Sequence, residues 1–322
     1  MKVLFVGLGS IGLRHLNNLY QLGINDFIAF RFRKNTLHRS LPSGVKLVEF
    51  SSYQEALKQK PDLVVISNPT SYHLEYTMQA IEAGSHIYIE KPISHNFSDI
   101  EKLVNLYNEK QVKIQIGCQL RMHPHLIQIK EWINADKIGE IYSISADVGE
   151  YLPGWHPWED YRDSYAAKNK QGGGVILTLI HEIDYINWLF KDVQLISAIG
   201  GNLTKLEMDV EDTAVILMQS NNKIPIQLRM DYWRSPAVRK LNIVGEKGEI
   251  NWDYHDKSLE FSYRDSTKEI TKLDENWDKN LLFIELMDDF LKSIKCNTEN
   301  ISPLEDGVHA LRLASDIKKI IQ

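Results

Sequence analysis

Four groups of residues in this chain have types and spacings that could do chemistry. Glu90-Lys91-Pro92-Ile93 follows an apolar run from Ser85 to Ile89, and the proline biases Lys91 toward an extended conformation, which places the lysine at a strand end. An ammonium there can hold a substrate hydroxyl or take part in proton transfer. Downstream, Gly172-Gly-Gly174 releases a helical pattern that runs to Phe190, with Thr178, His181, Asp184 and Tyr185 on one side and Ile176, Leu179, Ile180 and Ile183 on the other. A histidine titrates near neutrality, so His181 in that polar stripe suits a general acid or base. By itself, His181 with Asp184 one turn later serves equally as a plain helix-surface pair.

The third group is Gly7-Leu-Gly9-Ser10-Ile11-Gly12, directly after the apolar run Met1 to Val6. Gly7 suits a tight turn, Gly9 lets backbone amides approach a pyrophosphate, and Gly12 lets a helix pack closely on the strand. The fourth is Tyr151-Leu-Pro-Gly-Trp155-His156-Pro-Trp158-Glu159-Asp160-Tyr161-Arg162-Asp163, where rings alternate with carboxylates, an imidazole and an arginine. Rings offer flat apolar faces to the C–H surface of a sugar, and the charged groups suit its hydroxyls or acids. A surface loop folded on its own aromatics is the other reading.

These groups need elements to hold them. The run Met1 to Val6 reads as a buried parallel strand feeding a helix from Leu13 to Leu22 whose positive end faces phosphates. A second strand, Asp26 to Arg33, ends in Arg31, Arg33 and Lys34, with no acid until Glu49. Basic groups there accommodate the 2'-phosphate of NADP, so NADP(H) is expected, with NAD the alternative. Strands at 45–49, 63–66, 85–89 and 112–117 alternate with helices at 53–59, about 73–83 and 96–108. The carboxyl ends of such strands carry the ligand. Asn68, Pro69, Thr70 and His73 are therefore expected to border the nicotinamide, together with Glu90 and Lys91.

Arg121 closes this first part and is a candidate to bind substrate. A helix at 126–134 and strands at 141–148, 195–200, 213–219, 224–231, 240–244, 249–252 and 258–263 follow, the first of them with clear alternation. Helical stripes over 283–294 and 303–321 read as packing surfaces. The expected class is α/β: a doubly wound Rossmann domain at 1–122, and an α+β domain at 123–322 with a large open, mostly antiparallel sheet.

Composition excludes several functions. The 322 residues are 43% hydrophobic and 25% charged, as in an ordinary globular protein, and the net charge of −6 gives no pull toward nucleic acid or anionic membrane. No run approaches the roughly 18 apolar residues of a membrane helix, and the first strand lacks a basic leader, so a cytoplasmic protein is expected. Cys118 and Cys296 stand far apart without CxxC spacing, so no metal site is expected.

The glycine motif with Arg14-His15 behind it, the turn from Asn68-Pro69-Thr70 to His73, and Glu90-Lys91-Pro92 resemble the Gfo/Idh/MocA oxidoreductases, the glucose-fructose oxidoreductase and inositol dehydrogenase group. The resemblance implies a nicotinamide-dependent oxidoreductase acting on a sugar, sugar acid or nucleotide sugar. Lys91 would lie beside nicotinamide and the reacting hydroxyl, and His181 would be the catalytic histidine. It implies a homodimer or homotetramer formed through the second sheet and, from the Trp-His-Pro-Trp loop, a setting in surface-polysaccharide sugar metabolism. Tyr151, Trp155, His156, Trp158, Tyr161 and Arg162, with Arg121, Thr178 and Asp184, are the expected substrate contacts. The sequence departs from the family pattern in two ways. Thr178 stands where the family usually has aspartate, and its step to the histidine is one residue shorter than usual. Threonine cannot charge-stabilise an imidazole, so Asp184 or Glu182 substitutes, or the chemistry is slower or different. A non-catalytic NADP and sugar sensor, and an NAD-dependent glycosidase, are the other readings.

Overall fold

Each unbroken apolar run of the first third forms a buried parallel strand. The computed structural model describes residues 1–31, 41 and 43–321; Arg33 and Lys34, expected at the cofactor, lie outside the described residues. In chain order the elements are β1 (Lys2–Val6), α1 (Ser10–Gln21), β2 (Asp26–Phe30), β3 (Leu47–Phe50), α2 (Tyr53–Leu57), β4 (Leu63–Ile66), α3 (His73–Glu82), β5 (His86–Ile89), α4 (Ile100–Glu109), β6 (Ile114–Ile116), α5 (Pro124–Asn134), β7 (Ile141–Gly149), α6 (Val175–Thr178) and α7 (His181–Phe190). There follow β8 (Gln194–Gly201), β9 (Thr213–Gln219), β10 (Pro225–Asp231), β11 (Val238–Gly245), β12 (Gly248–Asp253), β13 (Ser258–Tyr263), β14 (Lys268–Lys272), α8 (Leu281–Cys296) and α9 (Leu304–Ile321). Two compact units result, Met1–Gln119 with Lys279–Val308, and Leu120–Asp278 with His309–Gln322. The first boundary falls after Gln119 rather than 122, and α8 belongs to the first unit rather than to the second. There Phe283 lies 6.0 Å from His15 of α1, and Gln115 of β6 donates to the Leu286 carbonyl at 2.5 Å.

The first unit holds a six-stranded sheet in the order β3-β2-β1-β4-β5-β6, parallel throughout. Val3 to Val6 and Leu63 to Ile66 are at most 1% exposed, which is why they read as unbroken apolar runs rather than alternating ones. The strand order reverses direction between β1 and β4, so their carboxyl ends open the crevice where such sheets bind ligands. Helix α1 begins at Ser10, three residues before the expected Leu13, with Gly9 as its N-cap. Helix α4 begins at Ile100 rather than Asn96, because the Asn96 side chain accepts the Ser98 N–H at 2.9 Å and Asp99 turns left-handed at φ 59°.

The second unit holds an eight-stranded sheet in the order β14-β13-β12-β11-β7-β10-β9-β8, antiparallel except between β7 and β10. Alternation sends Ile144, Ile216, Leu228, Ile243 and Trp252 to the buried face, and Val215, Leu217 and Arg229 to the other. Strand β14 was not expected: Lys-Glu-Ile-Thr-Lys carries a single large apolar residue, Ile270, which is itself exposed, as suits a charged edge strand.

One element differs in a way that reaches the chemistry. The single helix expected over 177–190 is two, broken where Leu179 leaves helical geometry at φ −97° and ψ 32°. Every residue from Val175 to Leu189 is buried, so neither side of α7 faces water and the surface-pair reading of His181 and Asp184 falls. Gly174 sets the entry to α6 at φ +100°, and a Cβ there would sit 2.2 Å from a Glu211 carboxylate oxygen. We expect Gly174→Ala to cost about 3 kcal/mol in a urea titration, from strained backbone and overlap together.

Candidate active site

In the first unit the glycine loop forms a cradle with one open wall. Gly7 adopts φ +93°, and a Cβ on it would lie 3.0 Å from the Asn68 nitrogen. A Cβ on Gly12 would lie 2.5 Å from the Gly7 carbonyl oxygen, so the helix packs as closely as the motif requires. A Cβ on Gly9 would meet nothing within 4 Å, and no acidic residue occupies the first turn of α1. Backbone amides at 10–12 thus open α1 with its positive end toward free space. The Ser67 hydroxyl donates to the Gly7 carbonyl at 2.9 Å and ties this loop to the end of β4. This arrangement fits a dinucleotide pyrophosphate. Asn68 adds a buried Oδ1 with no hydrogen-bond partner among the described residues, an acceptor suited to an incoming amide.

The ends of β4 and β5 bring together residues far apart in sequence. His15 Nε2 lies 2.6 Å from Glu90 Oε1, and the Lys91 N–H donates to Glu90 Oε2 at 3.3 Å. Burial alone would raise the Glu90 carboxyl; His15, Lys91 and His73 outweigh it and hold it below the usual carboxylate range. Glu90 is therefore engaged by protein partners at the carboxyl end of β5. His73 is engaged in the same way. It is 1% exposed, with Nδ1 2.8 Å from the Pro92 carbonyl oxygen and Nε2 2.9 Å from that of Asn68. Lys91 itself is half-buried. Pro69 is exposed and Thr70 buried.

Arg31 directly follows β2, and Glu49 on neighbouring β3 grips it, Nη1 donating to the two carboxylate oxygens at 2.9 and 3.2 Å. The parallel register Ala29↔Glu49 produces this pairing. The acid that seemed remote in sequence is thus the direct neighbour of the expected phosphate ligand.

In the second unit two arginines bracket α7. Arg121 is 0% exposed and donates to both oxygens of Asp184, Nε at 3.0 Å and Nη2 at 2.6 Å. Arg239 Nε donates to buried Glu182 at 2.8 Å, and its Nη2 lies 3.7 Å from Glu150. Burial raises the Glu182 carboxyl, against the pull of Arg239. Both carboxylates expected to substitute for the missing aspartate are therefore held by guanidinium groups, and the Arg121–Asp184 pair is buried. His181 is 6% exposed at the first position of α7. Thr178 lies beside Tyr232, whose phenol burial raises well above its ordinary range.

The aromatic segment divides into anchored and free rings. Trp155 stands edge-on to buried Tyr232 at 5.6 Å, and Tyr151 edge-on to Trp233 at 5.7 Å. Arg162 is held by Asp160 and Glu207 at 2.5 to 3.0 Å, and the Tyr161 hydroxyl accepts the Glu207 N–H at 3.0 Å. Arg162 is thus a brace within the loop, although it remains half in solvent. Trp158 is 78% exposed and contacts His156 at 5.1 Å. These two rings are the ones left to cover something.

Residues 1–118 match the model described as "Oxidoreductase family, NAD-binding Rossmann fold", and residues 126–251 match the GFO/IDH/MocA C-terminal domain. The chain is 24% identical to myo-inositol 2-dehydrogenase of Thermotoga maritima, over its full length and 96% of the relative. It is 27% identical to an uncharacterised oxidoreductase of Synechocystis over 61% of this chain and 56% of that one, little more than half the relative's length. Among solved structures, the WlbA dehydrogenase from Bordetella pertussis in complex with NADH and UDP-GlcNAcA superposes at TM-score 0.84, with 19% identity over 99% of this chain and 94% of that one. At that identity the likeness speaks for the fold.

Proposed function

Because the chain belongs to the GFO/IDH/MocA oxidoreductase family, we propose that it moves a hydride between a nicotinamide dinucleotide and a hydroxyl- or ketone-bearing carbon of a sugar, sugar acid or nucleotide sugar. The observation that carries this is the row formed by the open Gly9 cradle, Asn68 and Lys91 at the carboxyl ends of adjacent β1, β4 and β5. The dinucleotide, held by the amides at 10–12, supplies the hydride acceptor or donor. Lys91 hydrogen-bonds the reacting oxygen and stabilises the negative charge that develops there. His181 exchanges the hydroxyl proton as general base or acid. Asn68 orients the nicotinamide amide. Trp158 and His156 cover the sugar, and Arg121 and Asp184 act through the placement of α7. A rise in reduced-nicotinamide absorbance with one of a panel of sugars and nucleotide sugars, oxidised dinucleotide being supplied, tests this. Dinucleotide binding without turnover on any of them would point to a sensor, and glycosidic cleavage without net reduction to a transient-oxidation glycosidase.

For the dinucleotide, Arg31 favours NADP, while its pairing with Glu49 favours NAD, since a 2'-phosphate must displace a bound carboxylate. Glu49→Gln is expected to tighten NADP binding about tenfold, roughly 1.4 kcal/mol, and leave NAD within a factor of two. Arg31→Asp is expected to weaken NADP far more than NAD. Titration calorimetry with both dinucleotides checks this, and equal responses would remove Arg31 from phosphate recognition. The exposed Val215 and Leu217 on the open sheet face, with Ile199 beside them on β8, support assembly into a homodimer or homotetramer.

A further inference from the structure

His73 is the first residue of α3, and its ring occupies a buried gap between two loops, the one after β4 and the one after β5. Its two nitrogens meet the carbonyl oxygens of Asn68 and Pro92 at 2.9 and 2.8 Å, one from each loop. Pro92 directly follows Lys91, and Asn68 carries the buried acceptor oxygen. Both contacts are to acceptors and burial lowers the ring's pKa, so the neutral imidazole donates to one of the two carbonyls, the tautomer deciding which loop receives the bond, while its bulk fills the gap against the other. No water-facing surface remains to the ring, and neither nitrogen is available to a ligand.

We infer that His73 is a positioning residue for Lys91: it clamps the backbone of the Lys91-Pro92 loop to that of the Asn68 loop and so fixes where the ammonium points. The inference rests on the proposal that Lys91 serves the reaction. A lysine side chain has four rotatable bonds and about 2 kcal/mol of rotamer entropy, so its reach is set by how firmly its own backbone is held. On one side Glu90 accepts the Lys91 N–H and is itself held by His15; on the other, His73 holds the next carbonyl. Removing the imidazole empties the gap between the two loops and leaves buried and unpaired whichever carbonyl its N–H holds, and the loops must shift to find a donor. Small displacements of a reacting group cost rate steeply, about a hundredfold per ångström in well-aligned sites.

The test compares His73→Ala, His73→Gln and Lys91→Met in the full chain. Hydrogen exchange of the Lys91, Ile93 and Ser94 amides, which needs no substrate, is expected to quicken at least tenfold in His73→Ala while β1 and β4 amides keep wild-type rates. Turnover per folded molecule is expected to fall at least tenfold with KM for the dinucleotide within threefold, and His73→Gln, which retains an amide donor, is expected to recover part of both. If His73→Ala does not fold, His73→Gln carries the comparison, with intermediate values expected. Wild-type exchange at these three amides, or a drop in thermal midpoint with turnover per folded molecule unchanged, overturns the clamp. Full turnover in Lys91→Met instead removes the role proposed for the lysine, and the exchange measurement still decides whether His73 holds the loop.

Discussion

Lys91→Met lowers kcat by about a thousandfold while the dinucleotide dissociation constant stays within about threefold; this is the largest effect expected of any single replacement. Methionine keeps the apolar stem of a half-buried side chain and removes only the ammonium. Positioned proton transfer is worth about 10²–10⁴ in rate, and a single donor to a developing oxyanion about 10²–10³. The lysine would supply one or both of these and nothing to the dinucleotide, whose phosphates are proposed to meet the amides at 10–12. Steady-state kinetics with a fluorescence titration of reduced dinucleotide separates the two quantities. A rise in KM for the dinucleotide with kcat intact would reassign Lys91 to cofactor binding.

Arg121→Met is expected to destabilise the protein by about 3–5 kcal/mol, because it strands the Asp184 carboxylate, which is 1% exposed, without its counter-charge. The double variant Arg121→Met with Asp184→Leu removes both charges and is expected to regain at least half of that loss, since replacing a buried pair by apolar groups is often neutral. Urea denaturation of the wild type, both singles and the double gives the coupling. If Arg121 and Asp184 touched substrate instead, the double variant would fold normally and lose substrate affinity by orders of magnitude. The placement of α7 makes the opposite expectation: the double recovers stability with a modest change in KM, and what activity it loses appears in kcat through His181, three residues before Asp184.

The local code was readable and the long-range pairing was not. The glycine motif, the buried strands before and after it, and the lysine at the end of β5 declare themselves through spacing and unbroken apolar runs, which depend only on neighbouring residues. His15 and Glu90 were both in view as parts of motifs, but they are 75 residues apart and only the packing of α1 on β5 puts an imidazole against that carboxylate. Glu49 stands 18 residues beyond Arg31, and only the parallel β2–β3 register sets the two side by side. Arg121, Asp184 and Glu182 carried the right flag, charges in an apolar setting, but sequence periodicity presumes a helix with one face in water. Helix α7 has none, so the charges answered each other. The break at Leu179 and the edge strand β14 left no sign in residue pattern: the first falls inside a stretch whose apolar residues keep helical spacing, and the second lacks an apolar run.

Direct passage of hydrogen from sugar carbon to nicotinamide is the centre of this account, and isotope transfer measures it. Candidate sugars and nucleotide sugars deuterated at their ring carbons are incubated with the protein and oxidised dinucleotide, and the nicotinamide C4 position is read by NMR. Deuterium is expected at C4 with at least one substrate, at a rate reduced about a thousandfold in Lys91→Met. A dinucleotide that binds but returns from every incubation unlabelled would contradict it.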